Sequence, residues 1–393
     1  MTSPNEFRYF GYAQEIIFGP GALARLSEAV ERFGWRRLLL CTTGSARRLG
    51  HAAQVEGLLG ERLLATYDPV LPHVPENQVI EALALASRHG VEAVIGLGGG
   101  SPIGMAKAVS QRLEEQRTGK PARAAFPTEQ PLAPVIAIPT TYAGSEMTAV
   151  FGVTRQTPAG EPLKVTVTDP KVAPKLVIYD PELTLDLPPS LTASTGINAL
   201  AHCVEALYSV TRHPLSTAAA LSGLSHIANA LPRCHAAPND IDARSEMLAG
   251  AHLAGASLAS AAMALHHGLC HVLGGTAGVP HGIANGLILP HAMRFNAGAL
   301  APQPPDKPWG MQAAAALGLP PAANPQAAAQ AAADWVYQLI GQLGLPQHLR
   351  QAGVREADLP RLAQLAFENR TVQNNPKPID SPAPLEALLR DAW

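Results

Sequence analysis

The stretch Val91-Glu92-Ala93-Val94-Ile95-Gly96-Leu97-Gly98-Gly99-Gly100-Ser101 decides the fold. Its apolar run, 91–97, predicts a buried strand. Three glycines close the strand, and a helix follows through Met105, Ala106 and Lys107. A strand, a glycine turn and a helix N-terminus together make an anion site. Glycine lets the backbone approach, and free N–H groups with the helix dipole favour phosphate. The spacing is not G-x-G-x-x-G, so an ordinary Rossmann turn is not implied. A second loop follows the apolar run 135–138: Pro139-Thr140-Thr141-Tyr142-Ala143-Gly144-Ser145-Glu146-Met147-Thr148. Its small hydroxyl residues suit the lining of a phosphate or nicotinamide pocket. Gly98, Gly99, Gly100, Ser101, Thr140, Thr141 and Ser145 are the candidate cofactor-binding residues.

Outward from these loops, short apolar runs alternate with helical patterns. Strands are expected at 15–18, 37–41, 62–66 and 176–179, and helices at 23–33, 45–59 and 76–89. Such alternation signals a parallel sheet covered by helices. Residues 114–130 are mostly polar or small, with Pro121 and Pro127, and read as a surface insertion. From Asp186 the texture changes. Helical patterns at 194–210, 215–230, 242–263, 324–343 and 355–369 follow, and strand signals nearly vanish. The expected organisation is an α/β nucleotide-binding domain over 1–185 and an all-α domain over 186–393.

Composition narrows the function. The chain has 393 residues, beyond the usual single-domain size, with 47% hydrophobic and 15% charged residues. A net charge of −2 gives no basic footprint for nucleic acid. Four scattered cysteines, Cys41, Cys203, Cys234 and Cys270, form no C-x-x-C pair and fit a reducing cytoplasm. The N-terminus shows no apolar leader pattern, and no run of about 18 apolar residues predicts a membrane span.

The chemistry concentrates in Leu265-His266-His267-Gly268-Leu269-Cys270-His271 and Pro280-His281-Gly282-Ile283-Ala284-Asn285. Four histidines lie close together among apolar and small residues. His267 and His271, four apart, share a helix face. Imidazoles in such a setting need partners, which points to a metal, an anion or a proton transfer.

With these segments in view, the chain resembles the iron-containing (group III) alcohol dehydrogenase superfamily over nearly its whole length. Phe18-Gly19-Pro20-Gly21, Gly98-Gly99-Gly100-Ser101-Pro102, Pro139-Thr140-Thr141, Gly196-Ile197-Asn198-Ala199-Leu200-Ala201-His202-Cys203-Val204-Glu205-Ala206 and Pro280-His281-Gly282-Ile283-Ala284-Asn285 carry the resemblance. It implies a dehydroquinate-synthase-like fold: a nucleotide-binding α/β domain, a helical domain and a catalytic cleft between them. Within the superfamily the chain is most similar to the maleylacetate reductases. The form of the second loop, Gly104 in place of a usual aspartate, the start Leu265-His266-His267 and the tail from Asn375-Pro376-Lys377-Pro378 point there. Pro280-His281-Gly282-Ile283-Ala284-Asn285 instead keeps the alcohol dehydrogenase form.

In iron-dependent relatives an aspartate and three histidines hold the metal. The matching positions here are Asn198, His202, His267 and His281. An amide replaces the carboxylate, so the resemblance implies catalysis without metal; if an ion were held, these four would hold it. It further implies NADH or NADPH as cofactor. Thr42-Thr43-Gly44-Ser45 offers no acid for a ribose 2′-hydroxyl, and Arg47 and Arg48 lie near, so neither nucleotide is excluded. The expected catalytic residues are His267 as proton donor, His202 and His281 for carboxylate, and Lys164 as a fixed positive charge. His271 and His266 are assigned supporting places. The resulting reading is a cytoplasmic, homodimeric reductase of aromatic-ring catabolism, converting maleylacetate or a related unsaturated oxo-acid to 3-oxoadipate. The alternatives are a metal-dependent alcohol dehydrogenase on a small alcohol, a lyase of the dehydroquinate synthase type, and a silent nucleotide-binding protein.

Overall fold

The computed structural model describes residues 7, 9, 11–120, 129–156, 162–299 and 308–393. They divide into two compact units, 11–187 and 188–393, with residues 7 and 9 joining the second.

The first unit is built on a parallel sheet. Its strands are β1 (Glu15–Phe18), β2 (Leu38–Cys41), β3 (Leu63–Tyr67), β4 (Ala93–Gly98), β5 (Val135–Pro139) and, after a separate hairpin of β6 (Val150–Gln156) and β7 (Pro162–Thr168), β8 (Leu176–Tyr179). The order across the sheet is β1-β8-β5-β4-β2-β3, all pairs parallel. Helices α1 (Leu26–Arg32), α2 (Gly44–Arg48), α3 (His51–Leu59), α4 (Glu76–Arg88) and α5 (Gly100–Thr118) connect the strands.

The central strands β2, β4, β5 and β8 read as unbroken apolar runs because both faces are covered. On one face Leu38, Leu40, Ile95, Ile136 and Ile178 pack with Leu26, Val30 and Val55. On the other, Leu39, Val94 and Val135 pack with Val79, Ala82, Met105 and Val109.

Three local expectations change. Residues 45–59 form two helices, because Gly50 turns left-handed (φ 81°) between α2 and α3. The β6–β7 hairpin is not anticipated by apolar runs, since only alternate residues such as Phe151 and Val153 are buried. The start of the expected insertion is the end of α5. Glu114 is buried there and pairs with Lys171, which also meets Glu129 at 3.1 Å. The centre of that segment, 121–128, lies outside the described residues, as do 300–307.

The second unit is helical, with no strand among its described residues: α6 (Pro189–Tyr208), α7 (Pro214–Ala236), α8 (Ile241–Ser260), α9 (Leu265–Ala277) and α10 (His281–Phe295), then Trp309–Ala316, Pro325–Gln342, Leu359–Phe367, Arg370–Gln373 and Ala383–Asp391. From Thr192 onward every α6 side chain but that of Thr195 is buried, as a central helix requires. No single helix among the described residues is long and apolar enough to cross a membrane.

At the turn out of β4, Gly98 has φ 135°, and a β-carbon there would stand 2.9 Å from Pro102 Cγ. Both features demand glycine. Gly98→Ala is expected to lose about 1–3 kcal/mol of stability, the usual cost of such strain, measured by urea unfolding.

Candidate active site

In the α/β unit the two loops lie against each other. β4 ends at Gly98 and α5, 19 residues long, begins at Gly100 with no side chain capping its N-terminus. A β-carbon on Gly99 would stand 3.3 Å from Thr141 Oγ1, and one on Gly100 3.9 Å from Ser145 Cβ. The Thr140 amide donates to the Gly98 carbonyl at 3.0 Å. The structure thus gathers Gly98, Gly99, Gly100, Ser101, Thr140, Thr141 and Ser145. The sheet order reverses beside them: β3 lies on one side of β2, while β4 and β5 continue on the other. Open α/β sheets bind ligands at the carboxyl ends of strands flanking such a reversal.

Other residues of this unit are placed as follows. Arg47 is committed to Asp68 at 2.9 Å and Glu56 at 2.7 Å, so it is not a spare cation for a 2′-phosphate. Arg48 is exposed. Lys164 sits on β7 opposite Thr154, and its side chain lies outside what is described. A β-carbon on Gly104 would stand 3.6 Å from Val74 Cγ2 and 3.9 Å from Phe151 Cβ, ordinary packing distances.

The helical unit builds the imidazole cluster. Asn198, His202 and Glu205 follow one another along α6 at helical spacing, all buried. His266 and His267 occupy the first turn of α9, also buried. His271 lies one turn on, exposed, and His281 opens α10, half-buried. Ring centroids of His202 and His267 are 4.7 Å apart, those of His267 and His281 6.1 Å, and those of His271 and His281 6.0 Å. Gly282 permits the approach of α10 to α6: a β-carbon there would meet Ser194 Cβ at 2.8 Å.

Glu205, which the sequence motif contains but to which sequence reasoning gives no role, organises the cluster. Ala264 precedes α9 and offers no side-chain cap. Glu205 supplies one from α6. Its Oε1 accepts from the Ala264 and His266 amides, each at 3.1 Å, and its Oε2 from the His267 amide at 3.3 Å. Tyr208 Oη donates to Oε1 at 3.3 Å. His267 Nδ1 meets Oε2 in a short contact.

These partners settle the tautomers. A carboxylate only accepts, so the His267 proton sits on Nδ1 and its lone pair on Nε2. His266 Nε2 faces the Asn285 carbonyl at 3.1 Å and must donate to it. Asn285 Nδ2 in turn donates to the His281 carbonyl at 2.7 Å. His267 Nε2 and His202 Nδ1 are buried without a hydrogen-bond partner. A buried imidazole nitrogen left without a partner can take a ligand, a water or a proton.

Charge follows geometry. Burial alone would raise Glu205, but His267 and His266 beside it hold its carboxyl well below the ordinary carboxylate range. Burial pushes His267 down, with Glu205 opposing. Burial, then His267 and His281, push His202 well below its ordinary value. Glu205 therefore rests ionised, with His202 and His267 neutral.

Comparison with known proteins agrees with this architecture. Residues 13–181 match the iron-containing alcohol dehydrogenase family, and 192–393 match the Fe-containing alcohol dehydrogenase family, C-terminal. Maleylacetate reductase of Pseudomonas knackmussii is 39% identical over 378 residues, covering 96% of this chain and 95% of its own. Crystal structures of maleylacetate reductase from Agrobacterium tumefaciens and from Rhizobium sp. strain MTP-10005 are each 33% identical with a TM-score of 0.83, covering 99% of this chain and 98% of theirs. The chain belongs to the iron-containing alcohol dehydrogenase family and is an NAD(P)-dependent oxidoreductase.

The family's name carries iron, and four buried or half-buried residues here are the candidate donors. Asn198, His202, His267 and His281 include no carboxylate. The planes of His202 and His267 are stacked only 16° apart, whereas an ion bound by both would lie near both planes. Glu205, His266 and His267 bring donor atoms within 4.8 Å of one another, yet these atoms bond among themselves and to backbone amides.

Two outcomes follow. His202 stays neutral in the fold but protonates in the unfolded chain below about pH 6.5, so stability is complete above that pH and falls as pH drops through it. His266, held up to about 10, gives the opposite slope above about pH 6.5, so the check is differential: His202→Phe should lose less melting temperature than wild type between about pH 7.5 and about 5.5. Glu205→Ala strands three amides and an imidazole. A loss of about 3–5 kcal/mol is expected by denaturant titration.

Proposed function

We propose that this enzyme reduces maleylacetate, or a closely related unsaturated oxo-acid, to 3-oxoadipate in aromatic-ring catabolism, using NADH or NADPH and no metal. The observation that carries the reading is the Glu205–His267 pair in a cluster where Asn198 replaces the negative ligand an ion would need. The glutamate leaves one imidazole nitrogen free for a proton. Relatives of up to 39% identity named maleylacetate reductases support the substrate.

Maleylacetate is a dianion whose C=C is conjugated to carbonyl groups. The reduced nicotinamide, when bound, supplies hydride to an alkene carbon. Charge then develops on a conjugated oxygen and needs placed donors. The second carbon takes one proton. His267, neutral at rest, would first take a proton from solvent on Nε2 and then deliver it to that carbon, its imidazolium standing directly against the Glu205 carboxylate. His202 and His281 are assigned the substrate's carboxylates, and Lys164 a fixed positive charge. The balance is substrate, hydride and one proton.

The second reading, a metal-dependent alcohol dehydrogenase, draws on Pro280-His281-Gly282-Ile283-Ala284-Asn285. Within that segment Asn285 is already used in holding the start of α10 through the His281 carbonyl. The four buried cysteines, scattered and without a C-x-x-C pair, support a cytoplasmic location. The edge strand β1 exposes Ile16 and Phe18, which supports a homodimer, to be checked by light scattering on the purified protein.

Oxidation of NADH and of NADPH with maleylacetate should persist after exhaustive chelation, in protein free of bound transition metal. Activity that vanishes with the chelator and returns with an added divalent ion would favour the second reading. His267→Ala should lower kcat by about 10²–10⁴-fold, the usual worth of a positioned acid. Near-normal turnover would remove His267 from the mechanism.

A further inference from the structure

The α/β unit buries a cation that the chemistry above does not use. Lys107 lies on α5, two turns beyond Gly100, with no exposed surface. Its Nζ donates to the Ser145 carbonyl at 2.6 Å, the Val150 carbonyl at 3.0 Å and Thr148 Oγ1 at 3.2 Å. Three acceptors match the three protons of an ammonium group. All three belong to the far end of the second loop and its exit into β6. The other bonds to the Ser145 carbonyl come from Thr148, three residues away.

Burial pushes Lys107 down to about 7, with Glu146 pulling it back up. Glu146 is itself buried and accepts from Tyr179 Oη at 2.9 Å. A buried ion is often replaceable by an apolar side chain at no loss of stability. Its use here is then geometric. The same helix carries the glycine turn at its N-terminus and the anchor of the Ser145 loop two turns below.

We propose that Lys107 is a positioning residue for nucleotide binding: it fastens the Thr141–Ser145 loop to the helix that starts at the glycine turn, so both loops meet the nucleotide as one rigid piece. The inference rests on the two loops binding the nicotinamide nucleotide. It does not depend on which acid is reduced, so the absence of maleylacetate turnover would leave it standing.

The test uses the full-length Lys107→Met and Thr148→Val variants. Dissociation constants for NADH and NADPH are measured by fluorescence titration, with steady-state kinetics and melting temperature alongside. Lys107→Met should raise the nucleotide Kd and KM at least about tenfold, equivalent to about 1.4 kcal/mol. Its kcat at saturating nucleotide should stay within about twofold, since no reacting atom is touched. Thr148→Val, which removes one acceptor, should raise the Kd by roughly two- to threefold, the scale of a modest hydrogen bond. A folded Lys107→Met protein with wild-type Kd overturns the proposal, even with a lowered melting temperature. If that variant does not fold, an unchanged Kd in Thr148→Val overturns it. Wild-type protein that binds neither nucleotide overturns it as well.

Discussion

A carboxylate at 0% exposure, Glu205, stands at the head of α9 and accepts three backbone amides and an imidazole proton. Burying a lone carboxylate costs several kcal/mol. Here the helix dipole, the unsatisfied first-turn amides and His267 together offset that cost. One side chain thereby caps a helix, joins it to α6, selects a tautomer and supplies a counter-charge. The chemistry at His267 depends on all four, because Nε2 keeps a lone pair only while the ring proton stays on Nδ1, donated in a hydrogen bond to Glu205.

The two units use helix N-termini in opposite ways. The first turn of α9 is filled from within by Glu205, and its field acts on an internal acid. The first turn of α5 carries no side-chain cap, follows a glycine turn and lies at a reversal of strand order. Its free amides remain available to an external anion, which is what a dinucleotide phosphate requires. The difference lies in whether a neighbouring helix offers a carboxylate, since the backbone groups are the same.

Legibility in the sequence followed burial. Strands β4 and β8 were readable because residues covered by their neighbours leave unbroken apolar runs. The β6–β7 hairpin was not, because its one buried face leaves only alternation, and Val153, Val165 and Val167 were the available signal. Residues 45–59 look like one helix until Gly50 adopts a left-handed turn. Residues 114–118 look like insertion because Glu114 is charged, and only Lys171, 57 positions away, explains its burial.

Sequence alone determined the alternation of strands and helices, the two glycine- and hydroxyl-bearing loops, and the presence of Asn198, His202, His267 and His281 in a family pattern. These are local or pattern-borne, and local chemistry suffices to read them. Tertiary structure alone decided that Glu205 meets His267 across 62 positions, that Arg47 is consumed by Glu56 and Asp68, and that Lys107 reaches Ser145 and Val150. Each is a charge whose partner lies far along the chain, and a charge is free or committed only once folding has chosen its neighbour.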